Sequence, residues 1–431
     1  MVDKVCKLSS GATFLYNQQE DDLSSFAVLF DVGSIDELAN EKKGIAHCLE
    51  HMMFKGTKTK TAAEFLNLMD KLGVESNAFT CFDATCYHGT FHNDDTKEVI
   101  NLFGEMLTEP RFDEKDLALE KGVIHQEIIM FENSPQERAQ QHGVSVLFKD
   151  TPFARPVIGY WKDVNAITSD DLRSFMHNHY TPANCIIAYS GKTPFNEVRN
   201  IVEEFTKKFS NNNVVYERAS VQLNLGADTV VIEDKETKQN TIMIGGSSYT
   251  SNSIGGVASI LAKAVLAGGL ASRLVKRIRE ELGLCYYIGI ANVPSIKDIV
   301  TPLVVCITDK DTKMVEAEIK KVIAEAIKNG FEDEEIKAVK KHGELCCIQS
   351  NINRDDYAVR MCTNYQGTGK LPSQLLKTKV SRFKKASKKS IEEAVDKMFC
   401  ETTSIHVIKP VEKECAVKRF FKTIFNRLNE E

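Results

Sequence analysis

The period of apolar and polar positions along the chain switches repeatedly between strand-like and helical. Residues 25–32 (SFAVLFDV) form a nearly continuous apolar run of strand length, and residues 85–92 (TCYHGTFH) form a second. Between them, apolar residues recur at helical spacing over 45–54 and again over 62–72, where Gly73 stops the pattern. Helical spacing returns over 96–107 and in a long segment from about Asp113. Residues 184–190 (NCIIAYS) predict a strand and 195–209 a helix, and the second half opens with strand-like stretches at 229–233 and 241–245.

Ser210-Asn-Asn-Asn-Val is polar and turn-rich, and no period holds from there to about Gly226. The expected division is therefore a first domain over 1–209, a linker over 210–227 and a second domain over 228–431. A weak internal repeat supports this. Phe112-Asp-Glu-Lys-Asp-Leu-Ala-Leu-Glu-Lys resembles Phe331-Glu-Asp-Glu-Glu-Ile-Lys-Ala-Val-Lys at an offset of 219 residues, about half the chain. The predicted fold class is α+β: two homologous-looking α+β halves, each a mainly antiparallel sheet covered by helices.

Composition narrows the classes of function. In a chain of 431 residues, 42% hydrophobic and 27% charged residues supply large cores and a polar surface, which excludes collagen-like, low-complexity and wholly disordered readings. Lys and Arg total 55 against 60 Asp and Glu, a formal charge of −5, without the bulk basicity of a nucleic-acid binder. The longest apolar runs fall far short of a membrane span. The amino terminus has no apolar signal core and no Arg/Ser-rich presequence. The twelve cysteines are scattered from Cys6 to Cys415 through apolar stretches. Reduced core thiols in a cytoplasmic protein are the expectation.

The chemistry concentrates in His47-Cys-Leu-Glu50-His51. Residues four apart share a helix face, so His47 and His51 can present imidazole nitrogens to one metal ion. Glu50 borders that face and can take a proton from water activated there, then pass it to a leaving amine. This is the H-E-x-x-H arrangement of zincins in reverse order along the helix. Catalytic zinc usually takes a third protein ligand. The candidate is Glu127, a carboxylate in the apolar segment Val123-Ile-His-Gln-Glu127-Ile-Ile-Met. Glu120, two turns earlier on the same face, can hydrogen-bond to a ligand or help hold the water. His125, two residues from Glu127, points elsewhere.

His47-Cys-Leu-Glu50-His51-Met-Met-Phe-Lys-Gly-Thr, with Glu127 76 residues beyond His51, resembles the pitrilysin/insulinase family of inverzincin metallopeptidases. More specifically, the chain resembles its short branch, which includes the mitochondrial processing peptidase and bacterial zinc proteases of similar length. The likeness runs over nearly the whole chain. Asn77-Ala-Phe-Thr80 matches the family's substrate-pairing edge strand, which assigns Asn77, Ala78 and Phe79 to substrate binding. Gly159-Tyr-Trp-Lys-Asp-Val and Tyr180-Thr-Pro-Ala-Asn184 match its scaffold. Arg279-Glu-Glu-Leu-Gly-Leu-Cys-Tyr286 resembles its Arg/Tyr pair, seven residues apart, that orients the peptide carbonyl. The resemblance implies a zinc-dependent endopeptidase with one Zn2+ per chain, bound only by the first half. It also implies paired subunits around a chamber that admits unfolded or short peptides. Because this chain holds both the zinc motif and the Arg/Tyr pair, a homodimer is expected first, and a heterodimer with a zinc-less partner second. The alternative is a non-catalytic structural or peptide-binding subunit of the same fold.

Other signals have plainer readings. Cys81, Cys86, His88 and His92 fit a half-buried strand, and Cys48, about 100° around the helix from His47, fits the core. Cys346-Cys347 is likewise expected in the core, and the basic run 382–389 is expected to be a solvated helix start. Gly255-Gly256 and Gly268-Gly269 lack the Lys-Ser/Thr of a phosphate loop.

Overall fold

The computed structural model describes residues 3–210, 218, 223–235, 237–249, 254–296, 299–352 and 357–409. Two sheets organise them. The first contains β1 (Asp3–Lys7), β2 (Thr13–Gln18), β3 (Leu23–Phe30), β4 (Glu75–Thr80), β5 (Thr85–His92) and β6 (Cys185–Gly191), in the order β1-β2-β6-β3-β5-β4. The second contains β7 (Val230–Glu233), β8 (Asn240–Gly245), β9 (Tyr287–Ile296), β10 (Ile299–Thr308) and β11 (Thr403–Ile408), in the order β7-β11-β8-β10-β9. Each has one parallel pairing, β2 with β6 and β7 with β11, and is otherwise antiparallel.

The helices of the first part are α1 (Ile45–Met53), α2 (Ala62–Lys71), α3 (Thr96–Thr108), α4 (Glu114–Asn133), α5 (Pro135–Leu147), α6 (Trp161–Asn165), α7 (Ser169–His179) and α8 (Phe195–Thr206). Those of the second are α9 (Ile254–Ala267), α10 (Thr312–Asn329), α11 (Asp333–Ile352), α12 (Tyr357–Thr368), α13 (Pro372–Lys385) and α14 (Lys388–Phe399), with a π-helical turn at Val275–Glu281. Local chemistry sets the ends. Thr61 and Glu64 form a reciprocal capping box at the start of α2, and Gly73, at φ +60°, follows its end. Asp113 opens α4 by accepting the Lys115 N–H at 2.8 Å.

β3 reads as a continuous apolar run because both its faces are covered. Phe26, Val28 and Phe30 face the main core with α1 and α3, whereas Ala27 and Leu29 pack with Tyr357, Ala358, Met361 and Cys362 of α12. The covering helix therefore comes from the far part of the chain. The exchange is reciprocal: Ala139, Val144 and Leu147 of α5 pack on Met243, Leu303, Val305, Ile405 and Val407 of the second sheet. A Cβ at Gly143 would lie 2.7 Å from the Met243 sulfur, so α5 approaches the sheet more closely than a side chain would allow. At the 219-residue offset, Ala139 falls on Ala358.

One core expectation fails at Cys346, which is exposed because α9 and α13 cover other faces of α11; Cys347 is partly buried and packs against the second core. Leu345 and Ile348 beside them are exposed too. The basic run 382–389 closes α13 and opens α14 around the Ser387 cap. Most of the expected linker, and Cys415, lie outside the described residues. Arg218 within that linker is held by Asp31 at 2.7 Å and Asp36 at 2.6 Å.

Candidate metal centre

The site begins with the two faces of α1. Ile45, Ala46, Cys48, Leu49, Met52 and Met53 are buried in the core, which turns His47, Glu50 and His51 the other way. The start of α1 is fixed by Gly44 at φ +89°, where a Cβ would lie 2.5 Å from the Ile158 carbonyl. The Glu37 carboxylate caps it, accepting the N–H groups of Gly44 at 2.9 Å and Ala46 at 3.3 Å. Burial nevertheless pushes the Glu37 carboxyl up to about 7, against those hydrogen bonds.

α4 packs beside α1 and presents Glu120 and Glu127 on one face, two turns apart. Glu127 Oε2 lies 3.8 Å from His47 Nε2 and 3.4 Å from His51 Nε2. Metal–ligand bonds of about 2.0–2.2 Å in a tetrahedral site give ligand–ligand edges of roughly 3.3–3.6 Å. The donor atoms of His47, His51 and Glu127 all lie within 4.8 Å of one another, and they form the one such metal-sized group among the described residues. The donor set, two imidazoles and a carboxylate, suits zinc.

Supporting groups orient these donors. Glu120 is buried and accepts from His51 Nδ1 at 3.1 Å, which leaves Nε2 facing Glu127. Lys55 forms an ion pair with the other Glu120 oxygen. Burial would raise the Glu120 carboxyl, but His51 and Lys55 outweigh it and hold it below the usual range. Burial, with His51 alongside, drives His47 down to about 3 and keeps its imidazole neutral, as a metal ligand must be. For His51, burial is outweighed by the Glu120 hydrogen bond and the Glu127 and Glu50 charges, so its value rises. Glu50 accepts the Thr80 hydroxyl at 2.7 Å, and burial raises its carboxyl against that bond.

Thr80 ends β4, which lies at the edge of the first sheet and carries Asn77, Ala78 and Phe79. The Ala78 N–H is bonded not to β5 but to the Asn77 side chain, at 2.8 Å. The structure thus gathers His47, Glu50, His51, Glu120 and Glu127, with β4 alongside. Arg279 lies in the π-helical turn, 3.5 Å from Glu280, and Tyr286 is 79% exposed. Among the described residues, neither bonds to the first-half cluster. His125 stacks on Trp161 with ring centroids 3.9 Å apart, away from the cluster.

Sequence reasoning missed Thr80, Lys55 and Glu37. Strand alternation puts Thr80 on the same face as Ala78, and Lys55 continues the four-residue spacing of His47 and His51. Both signals were available. Glu37 precedes its helix by an irregular loop and left none.

Residues 13–160 match the family model for insulinase (peptidase family M16), and residues 166–342 match that for the peptidase M16 inactive domain. An uncharacterized zinc protease of Rickettsia bellii is 30% identical over 75% of this chain and 79% of its own length. One from Rickettsia felis is 26% identical over 94% of this chain and 97% of its own. The crystal structure of a protease from Helicobacter pylori superposes with a TM-score of 0.84 at 20% identity, covering 94% of this chain and 99% of that one, a likeness of fold.

Proposed function

The chain belongs to the insulinase (M16) peptidase family, and from that premise we propose that it is a zinc-dependent endopeptidase acting on short or unfolded peptides. The observation that carries this reading is the convergence of His47, His51 and Glu127, with Glu50 beside them. Those three residues would hold one zinc ion. When bound, zinc supplies Lewis acidity, acidifying water and polarising a carbonyl. Glu50 takes the proton of the attacking water and returns it to the leaving amine, and its raised carboxyl suits both roles. Glu120 fixes the His51 tautomer, and Thr80 fixes the Glu50 rotamer. Asn77, Ala78 and Phe79 receive the substrate as an added strand, so main-chain bonds give affinity with little sequence preference. The Ala78 N–H, now held by Asn77, is a donor the substrate can claim.

Residues 1–209 form the zinc-binding unit and residues 228–431 the unit that contributes substrate contacts. Arg279 and Tyr286 complete the site by orienting the peptide carbonyl on closure. Two such chains face each other around a chamber as a homodimer, in the cytoplasm. No described helix is long and apolar enough to cross a membrane.

The test is cleavage of a quenched peptide library by the purified protein, with zinc quantified on the same sample. Zinc near one per chain, chelator-sensitive cleavage, and a Glu50→Gln variant that keeps zinc but loses turnover are expected. Full activity in that variant would refute the role of Glu50. Neither zinc nor cleavage after metal is added back would favour a structural subunit.

A further inference from the structure

The chain that follows the π-helical turn carries chemistry that peptide cleavage does not use. Cys285 directly precedes Tyr286, and Cys306 lies on neighbouring β10. The Tyr286 N–H donates to the Ile307 carbonyl at 3.1 Å, and the Thr308 hydroxyl donates to the Leu284 carbonyl at 2.6 Å. Residues 284–286 therefore run beside the end of β10. Tyr287, rather than Tyr286, is in register with Ile307, so the chain enters β9 through an irregular step. Both cysteines pack into the helix-covered core of the second half, Cys306 fully buried and Cys285 partly exposed. Interaction with the Cys306 side chain, with the Arg279 guanidinium nearby, holds Cys285 below the ordinary thiol range despite burial. The same interaction, with burial, pushes Cys306 up. Cys48 and Cys81, near the metal centre, are each raised by burial to about 12 and stay protonated. A partly accessible thiol that ionises more readily than usual beside a cation, with a second cysteine close by, is the arrangement of a peroxide-sensitive pair.

We propose that Cys285 and Cys306 form a reversible disulfide that disables the substrate-orienting pair beside them. The inference rests on the reading of Arg279 and Tyr286 given above and adds a control to it. The oxidant is hydrogen peroxide. The Cys285 thiolate attacks one peroxide oxygen, the O–O bond breaks, and the departing hydroxide takes a proton to become water, leaving a sulfenic acid. The Cys306 sulfur then attacks the Cys285 sulfur, and the sulfenic hydroxyl leaves with the Cys306 proton as a second water. Two thiols lose two electrons, and one peroxide becomes two waters. Closure draws Cys285 towards β10 and carries Tyr286 with it.

The experiment treats full-length, zinc-loaded protein with hydrogen peroxide and maps its peptides without reduction. A linked peptide joining Cys285 to Cys306 is expected, two hydrogens lighter than its parts. Turnover should fall at least about fivefold and return with dithiothreitol. Cys306→Ser should keep basal turnover and lose the reversible inhibition, and Cys285→Ser serves if that variant does not fold. No linked peptide in the wild type, or a linked peptide with unchanged turnover in protein active when reduced, overturns the proposal. The crosslink is read by mass, so reduced protein without turnover sinks the peptidase reading separately.

Discussion

In the first half, β3 lies between β6 and β5, with β2 running parallel beyond β6; in the second, β8 lies between β11 and β10, with β7 parallel beyond β11. Each sheet is covered on one side by its own helices and on the other by a helix lent from across the molecule. At the 219-residue offset, however, Glu120 corresponds to Val339 and Glu127 to Cys346. Val339 packs against the second core, and α9 contains no histidine. The same architecture therefore stands with and without the metal-ligand set. Folding rests on the cores and the exchanged helices, while the candidate metal-binding set belongs to the first half.

If that separation holds, changing a ligand should remove chemistry and leave the fold. The largest expected effect is for Glu127→Ala: loss of bound zinc and of turnover by at least about a thousandfold, with far-UV circular dichroism unchanged. Cys346→Ala, the matching change in the second half, should alter neither zinc content nor turnover. Zinc retained in the first variant would break the comparison.

The exchanged helices should behave in the opposite way. Leu147 and Met361 are buried against the opposite half's sheet. Truncating either to Ala should cost about 2–5 kcal/mol in denaturant unfolding while a folded sample still binds zinc. A large loss on one side only would show that the exchange is not reciprocal in energy.

Smaller effects sharpen the account of the metal centre. Glu120→Gln should weaken zinc binding about 10–100-fold in a competition titration, because the His51 tautomer is then less firmly held. Thr80→Val removes the hydrogen bond that opposes burial at Glu50. Its carboxyl should rise further, and the acid limb of the kcat/KM profile should move to higher pH. The smallest effect concerns Glu37, whose folded value of about 7 lies above its ordinary 4.5. The folded state holds the proton more tightly, so this contribution is complete below about pH 4.5 and is lost as pH rises through 7. Relative to Glu37→Gln, the wild type should lose on the order of 1–3 kcal/mol of stability across that window.

Much of this was legible in the sequence because it depends on spacing. His47, Glu50 and His51 share a face by helical period alone, and β5 spans the eight residues its pattern predicts. Glu127 stood out as a charge in an apolar stretch, and the duplication showed in two acidic helix starts. What escaped depends on contacts between distant segments. Nothing in the spacing of 135–147 or 357–368 says that each helix crosses to the other half. Cys346 looked like core because apolarity along a helix does not say which face is covered. The relation of Arg279 and Tyr286 to the first-half cluster likewise depends on how the two halves sit, which local period does not encode.

The exchanged helices also impose an order on biosynthesis. Leu15, Ala27, Leu29, Cys86 and Ala188 line the outer side of the first sheet, and their cover begins only at Tyr357. At roughly 5–20 residues per second, a ribosome leaves that surface open for several seconds or longer after β6 has emerged. The nascent first sheet thus keeps an apolar face uncovered until late in translation. A stop codon before α12 would release an uncovered sheet prone to aggregation, even though His47, His51 and Glu127 had already been made.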